Sequence, residues 1–351
     1  MDNKKELKEL IVSLSSLMSV SGSERYDGEA LRELVMPGID EYVCDPLGNH
    51  IFIKRCGKKR APKILIDTHY DEIGMLVTEV KEGGFLSVTS VGGLDTRILQ
   101  ASDVVIYGKK KIFGVIASTP PHLQTADDSK KLKKVEELLI DTGYPKEELE
   151  KLAPVGTPVG FVPKYTELKG GRLAGKGFDD KSCGACAIYG ISKADKKDLA
   201  GDVYMMLSSR EEIGLMGARP GAYGIDPDYA IVIDVNFANT PDTKKENTIV
   251  LGDGPSISYS ALTDRALTKE IIALAKEKEI KLQISVDAAS TGTNANVVGL
   301  TKNGVPSALL TFPLKSMHTY NEVVCLSDAE ELAKLVCAII TDKKTGEAFS
   351  R

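Results

Sequence analysis

Two of the four histidines in this chain of 351 residues, His69 and His318, sit in acid-rich or turn-rich surroundings that suit a metal ligand. Between them lie Phe178-Asp179-Asp180-Lys181, Ser209-Arg210-Glu211-Glu212-Ile213-Gly214 and Val232-Ile233-Asp234-Val235. Imidazoles and carboxylates are donors that zinc-type ions take, and two ions sharing one carboxylate form a clamp suited to hydrolysis. The residue types therefore point to a dinuclear metallohydrolase.

Each motif also has a plainer explanation. Asp179-Asp180 opens a helical stretch after Gly175-Lys176-Gly177-Phe178, where two acids suit the positive end of a helix dipole. Read as a ligand, Asp179 is the candidate for the bridging carboxylate. Glu211-Glu212 follows an apolar strand, and adjacent side chains there point in different directions. One glutamate can then hold a metal while the other, left free, moves protons as base and acid; the plain alternative is a solvated acidic turn. His69 and Asp71 share one face of an extended segment, so Asp71 can accept the second imidazole N–H and fix the ring. Without Asp71, a His at a strand end would be structural. Asp234 closes another apolar run, where a cap is the plain reading, and His318 follows a strand and a turn containing Pro313, with a surface His as its alternative. His50 and His122 lack acidic context and read as loop residues. The conjunction of the motifs outweighs their separate plain readings.

The elements that must position these residues alternate between helix and strand. Leu7, Leu10, Ile11, Leu14 and Leu17 recur at helical spacing, and a second amphipathic segment covers 29–35. Lys63-Ile64-Leu65-Ile66-Asp67-Thr68-His69 reads as a buried strand delivering His69 to its C-terminal end, the edge at which ligands bind in open α/β sheets. Short β-rich runs at 74–80, 85–91, 103–107 and 111–117 follow, with a charged helix expected over 129–142. Residues 73–163 thus read as a small β-barrel or sandwich inserted into a domain made of 1–72 and 164–351. Beyond residue 164 helices are expected near 181–196, 215–223, 265–278 and 294–302. Strands are expected at 203–208, 229–234, 281–286 and 306–312, and a closing helix at 328–341 with Ser327 as N-cap. The fold class is α/β, a central mixed sheet sandwiched by helices with the inserted barrel.

Composition removes several functions. The 50 acidic and 45 basic residues are spread without a basic stripe, which excludes nucleic acid as a partner. No apolar run reaches the roughly 20 residues that span a bilayer, and the N-terminus lacks a signal-peptide core, so a cytoplasmic protein without a membrane partner is expected. Six cysteines show no disulfide spacing, and Cys183-Gly184-Ala185-Cys186 reads as a packed helix segment rather than a redox pair.

The ordered set Thr68–Gly74, Gly177–Lys181, Ser209–Arg219, Ile233–Val235, Gly292-Thr293-Asn294-Ala295 and Met317-His318 resembles the M42 family of metalloaminopeptidases, the TET aminopeptidases. The resemblance implies two divalent ions per subunit, zinc or cobalt ahead of manganese. One would take His69 and Asp234, the other Glu212 and His318, with Asp179 bridging, Glu211 as general base and Asp71 orienting His69. It further implies a cis Asp179-Asp180 peptide, substrate contacts at Gly292, Thr293 and Asn294, and a homo-oligomer, either a dimer or a dodecamer built through the inserted domain. Many relatives carry Asp at the position of Asn294 and Arg at that of Lys181. An amide in place of a fixed charge would alter which substrate group the pocket favours.

The expected reaction is release of the N-terminal amino acid from short peptides with a free amine. Glu211 takes a proton from a metal-activated water and returns it to the departing amine. A related deacylase or carboxypeptidase is the nearest alternative. A glycoside hydrolase would use two carboxylates without metal, but no Trp and 6% aromatic residues leave few flat faces for sugars. A metal-stabilised binding protein would need each ion closed by protein ligands, and the spare Glu211 argues against it.

Overall fold

The computed structural model describes residues 2–123, 132–244, 248–288 and 290–350. Its frame is an eight-stranded mixed sheet in the order Glu41–Cys44, His50–Lys54, Asp202–Ser208, Lys63–His69, Tyr229–Phe237, Ser307–Leu314, Ser256–Ser260 and Gln283–Asp287. The four middle strands, from Asp202–Ser208 to Ser307–Leu314, are mutually parallel. Parallel strands covered on both faces need side chains that tolerate burial either way, which is why these segments read as nearly continuous apolar runs. Their C-terminal ends share one edge, with Ser208 opposite His69 and Asp234 opposite Thr311. Tyr229–Phe237 runs three residues past Asp234, which therefore sits inside the strand rather than at its end.

Helices Asp2–Ser16, Phe178–Ser192, Arg265–Glu277 and Leu326–Thr341 pack on one face, where Leu14, Cys183, Ile271 and Leu332 join Ile66, Ile233 and Leu310 in one core. Ala218–Ile225 and the short Ala295–Val298 cover the other face, against Leu65, Val232 and Leu309. Residues 178–191 are buried all round, as a helix between a sheet and two further helices must be. Cys183 and Cys186 lie inside it, and burial pushes both thiols up, so packing is their role. A second sheet of Thr166–Leu168, Arg172–Gly175 and Glu322–Cys325 sets Gly175 opposite Glu322. No helix among the described residues is long and apolar enough to cross a membrane.

Between Gly74 and Phe161 six strands close into a barrel in the order Gly74–Lys81, Phe85–Val91, Leu139–Asp141, Lys111–Ile116, Asp103–Tyr107 and Pro158–Phe161. The barrel has its own core around Val77, Leu86, Ile106 and Ile140. The fold class expected from sequence is the one observed. The helix expected over 129–142 is not. Residues 129–131 lie outside the described residues, and the rest forms a short turn, Val135–Glu137, and the strand Leu139–Asp141 that bridges two barrel neighbours. Ser327 is not an N-cap either. Its helix begins at Leu326, the Ser327 hydroxyl lies 3.1 Å from Cys325 Sγ, and a further helix, Lys343–Ala348, follows the expected closing one. His50 belongs to a strand rather than a loop. It is 1% exposed, with Nδ1 2.8 Å from the Tyr42 hydroxyl and Nε2 3.1 Å from the Glu24 carbonyl. His122 lies in the short turn Pro121–Leu123.

Candidate metal centre

Strand ends bring the site together. Lys63–His69 delivers His69, the loop after Asp202–Ser208 delivers Glu211 and Glu212, Tyr229–Phe237 carries Asp234, and the turn after Ser307–Leu314 carries His318. Asp179 arrives from the start of the buried helix, across a cis Asp179-Asp180 bond. His69 Nε2 lies 3.0 Å from Asp179 Oδ1 and 3.8 Å from Asp234 Oδ1. His318 Nε2 lies 3.5 Å from Asp179 Oδ2 and 3.3 Å from Glu212 Oε2. Asp179 thus stands between the two imidazoles, one oxygen toward each. Ligand-capable atoms of His69, Asp179 and Glu212 lie within 4.8 Å of one another, as do those of His69, Asp180 and Asp234.

The donor set fits divalent ions on electrostatic grounds. Burial pushes Asp234 and Glu212 well above the ordinary carboxylate range, and neighbouring acids, Glu211 and Asp179 for Asp234 and Asp179 for Glu212, push in the same direction. Burial likewise raises Glu211 to about 7, helped by Asp71 and Asp179 and opposed by His69. Burial would keep His69 neutral, yet Glu211, Asp179 and Asp234 hold its pKa well above the usual value. Asp179 is the exception among the acids: burial raises it, but the hydrogen bonds of His318 and His69 hold it low. So many carboxylates cannot share a buried cluster as free anions; cations, whether protons or metal ions, must balance them.

The supporting contacts differ in part from the sequence reading. His69 Nδ1 is bonded to the Asp71 carbonyl oxygen at 3.0 Å, while the Asp71 carboxylate is 3.7 Å away. That carboxylate instead accepts the Glu211 N–H at 2.9 Å, the Glu212 N–H at 3.2 Å and the Ser21 hydroxyl at 2.5 Å. Asp71 still fixes the ring, through its main chain, and its side chain fixes the Glu211-Glu212 pair. Glu322 and Asp180 carry work that no motif announced. Glu322 accepts from Phe178 N at 2.7 Å, Asp179 N at 3.1 Å and His318 N at 3.1 Å, tying the two ligand-bearing turns together. Asp180 accepts from His69 N at 3.2 Å.

A cavity of about 540 Å³ opens beside these groups, and Gly292 and Thr293 line it along with Phe237, Thr311 and Asp287. Asn294 does not line it. Its side chain is buried, with Nδ2 donating to Ser208 Oγ at 2.8 Å, so the amide acts beneath the cavity rather than on its wall. Lys181 is equally remote: it is fully buried, donates to the Leu17 carbonyl at 2.7 Å and lies 3.2 Å from Glu72.

Residues 48–335, which contain all of these side chains except Ser21 and Leu17, match the M42 glutamyl aminopeptidase family. The chain belongs to that family. Lysyl aminopeptidase from Pyrococcus furiosus is 32% identical over 342 residues, covering 94% of this chain and 96% of that protein. Among solved structures, a TET aminopeptidase from a marine-sediment Thaumarchaeota archaeon superposes with a TM-score of 0.89 at 31% identity, covering 99% of both chains. The Pyrococcus horikoshii TET1 peptidase, described as assembling into a tetrahedron or a large octahedral shell, gives a TM-score of 0.84 at 30% identity over 95% of this chain and 99% of that one. As an M42 aminopeptidase, the chain is a hydrolase acting on peptides.

Proposed function

We propose that this M42 chain is a dinuclear metal-dependent aminopeptidase that releases the N-terminal residue from short peptides. The observation that carries the reading is the placement of Asp179 between His69 and His318, with Asp234 beside the first imidazole and Glu212 beside the second. His69 and Asp234 would hold one ion, Glu212 and His318 the other, and Asp179 both. Divalent ions bound there would supply Lewis acidity toward a peptide carbonyl and toward water, with zinc, cobalt and manganese all compatible with such donors.

Glu211 and Glu212 both have their backbone held by Asp71 and both line the cavity, but Glu212 is the one whose carboxylate stands beside His318, which leaves Glu211 for proton transfer. It takes the proton from the attacking water and gives it to the nitrogen of the departing amine. Asp71 keeps the Glu211 and Glu212 main chain in place, and Glu322 keeps Asp179 and His318 together. Residues 1–72 and 164–351 form the catalytic part in this reading, and 73–163 the part through which copies assemble, as a dimer or a dodecamer. Exposed Phe113 and Val115 on the barrel support the assembly role; a monomer in light scattering at working concentration would remove it. Six unbridged cysteines suit a reducing, cytoplasmic setting.

The test is a panel of aminoacyl chromophores given to purified protein before chelation, after it, and with zinc, cobalt or manganese restored. Chelator-sensitive, metal-rescued release from free-amine substrates, absent when the amine is blocked, is the expected result. Silence on every free-amine substrate, with two ions bound, would overturn it in favour of a deacylase or carboxypeptidase.

A further inference from the structure

From the wall of the cavity we infer the substrate class: peptides whose first residue carries a long basic side chain, Lys or Arg, recognised by Asp287. The inference rests on the aminopeptidase reading above.

The cavity floor is one face of the central sheet. Asp234 pairs with Thr311, and Thr311 with Ser256 on the next strand. Side chains two residues apart on a strand share a face, so Leu309 and Ser258 lie on the same side. Leu309 belongs to the core on that side, whereas Leu310 and Ile257 belong to the core on the other. The pairing of Ser260 with Asp287 carries the face on to the edge strand, where Ile284 and Val286 occupy the opposite, exposed side. This face runs from the metal centre across three strand spacings, roughly 14 Å, to the edge strand, where Gln283 is level with Thr311 and Asp287 lies four residues farther along with its carboxylate drawn back toward Ser258.

Asp287 is the one cavity-lining carboxylate, among the described residues, that the metal centre and the proton transfer do not employ. It is aimed rather than loose, because the buried Ser258 hydroxyl donates to its Oδ2. The remaining lining supplies hydroxyls, an amide and apolar groups, from Ser290, Thr291, Asn296, Phe237 and Met317, and no described lining residue is Lys or Arg. A substrate carboxylate reaching across the floor, away from the ions, would find no Lys or Arg among the described lining residues and an acid opposite it, a repulsive arrangement that selects against acidic residues. A short side chain ends farther from Asp287 than a long one. A Lys or Arg side chain lays its methylene stem along Leu309 and Phe237 and presents its charge to Asp287.

The test compares kcat/KM for lysyl, arginyl, norleucyl, leucyl and glutamyl chromophores in the metal-loaded wild type and in Asp287→Asn. Norleucine keeps the length of Lys without the charge, and the Asn side chain still offers an acceptor to Ser258. The expected result is a wild-type preference for Lys over norleucine of at least about tenfold, equivalent to one favourable charged contact. In Asp287→Asn that preference should shrink toward unity with norleucine turnover unchanged, which also shows that the variant is folded. Activity in which Lys and norleucine are equal, or in which the variant keeps the wild-type ratio, or in which Glu is preferred, overturns the assignment to Asp287 alone. Silence on the whole panel overturns the aminopeptidase reading and this inference with it.

Discussion

In the proposed mechanism the neighbours Glu211 and Glu212 have different tasks, and one buried carboxylate holds them apart. Asp71 accepts both backbone N–H groups, so neither residue can rotate its main chain to exchange places with the other. Both line the cavity, and Glu212 is the one that meets His318. Replacing Glu211 by Gln removes the proposed proton acceptor and leaves the five proposed metal ligands untouched. Glu211→Gln is expected to bind two ions while its kcat falls at least about a hundredfold. Metal content by mass spectrometry, measured beside turnover, checks this, and near-normal turnover would take Glu211 out of the base role. His69, Glu211 and Glu212 were legible as candidates because each lies at or just past the end of an apolar run that becomes a parallel strand. Asp287 and Glu322 were not. Each sits at one end of a short strand of four or five residues, and its position depends on which partner that strand chooses, Gly175 for Glu322 and Ser260 for Asp287. The burial of the Asn294 side chain against Ser208 was not legible either, because one turn of helix decides whether a side chain faces the cavity or the sheet beneath it.

At the scale of elements, the barrel is more than an appendage. Its loop after Phe85–Val91 presses on the metal centre: a Cβ on Gly93 would stand 3.0 Å from His318 Nδ1 and 3.4 Å from its Cε1. With a bare backbone at Gly93 the imidazole has room to face Asp179 and Glu212, and a Cβ there would oblige the ring to give by a few tenths of an ångström. Gly93→Ala should therefore push the ring and cost at least about tenfold in turnover, since small misplacements in a catalytic site are amplified. The fitting control is Gly224→Ala, where the added methyl meets nothing within 4 Å. Equal activity of the two variants would mean that the loop does not position His318. The barrel is also where helical patterning misled. The run through 129–142 is rich in Lys, Glu and Leu, good helix formers, yet its last residues close the gap between Phe85–Val91 and Lys111–Ile116. Ring closure leaves no free edge, and that tertiary demand overrides local propensity.

For the molecule as a whole, Glu24 joins parts that are distant in sequence. Its Oε1 accepts Gly22 N at 2.8 Å and Arg210 N at 3.0 Å, and its carbonyl oxygen meets His50 Nε2, so the N-terminal segment, the second sheet strand and the loop bearing Glu211 converge on one residue. Burial dominates its titration and raises it from 4.5 to about 7, against the pull of those N–H groups. In the folded protein Glu24 thus holds a proton that the unfolded chain would release above pH 4.5. The folded state binds the extra proton between these values, so its contribution to stability is fully present below about 4.5 and is lost as pH rises through 7. The span is on the order of 3 kcal/mol. Glu24→Gln keeps the acceptor oxygen and abolishes the titration. In metal-free protein, where the other buried acids act equally in both forms, the melting temperature of wild type should fall more steeply from pH 5 to pH 8 than that of Glu24→Gln. Parallel curves would mean that Glu24 stays ionised in the fold, its charge met by the two N–H groups, and that the junction it forms is insensitive to pH.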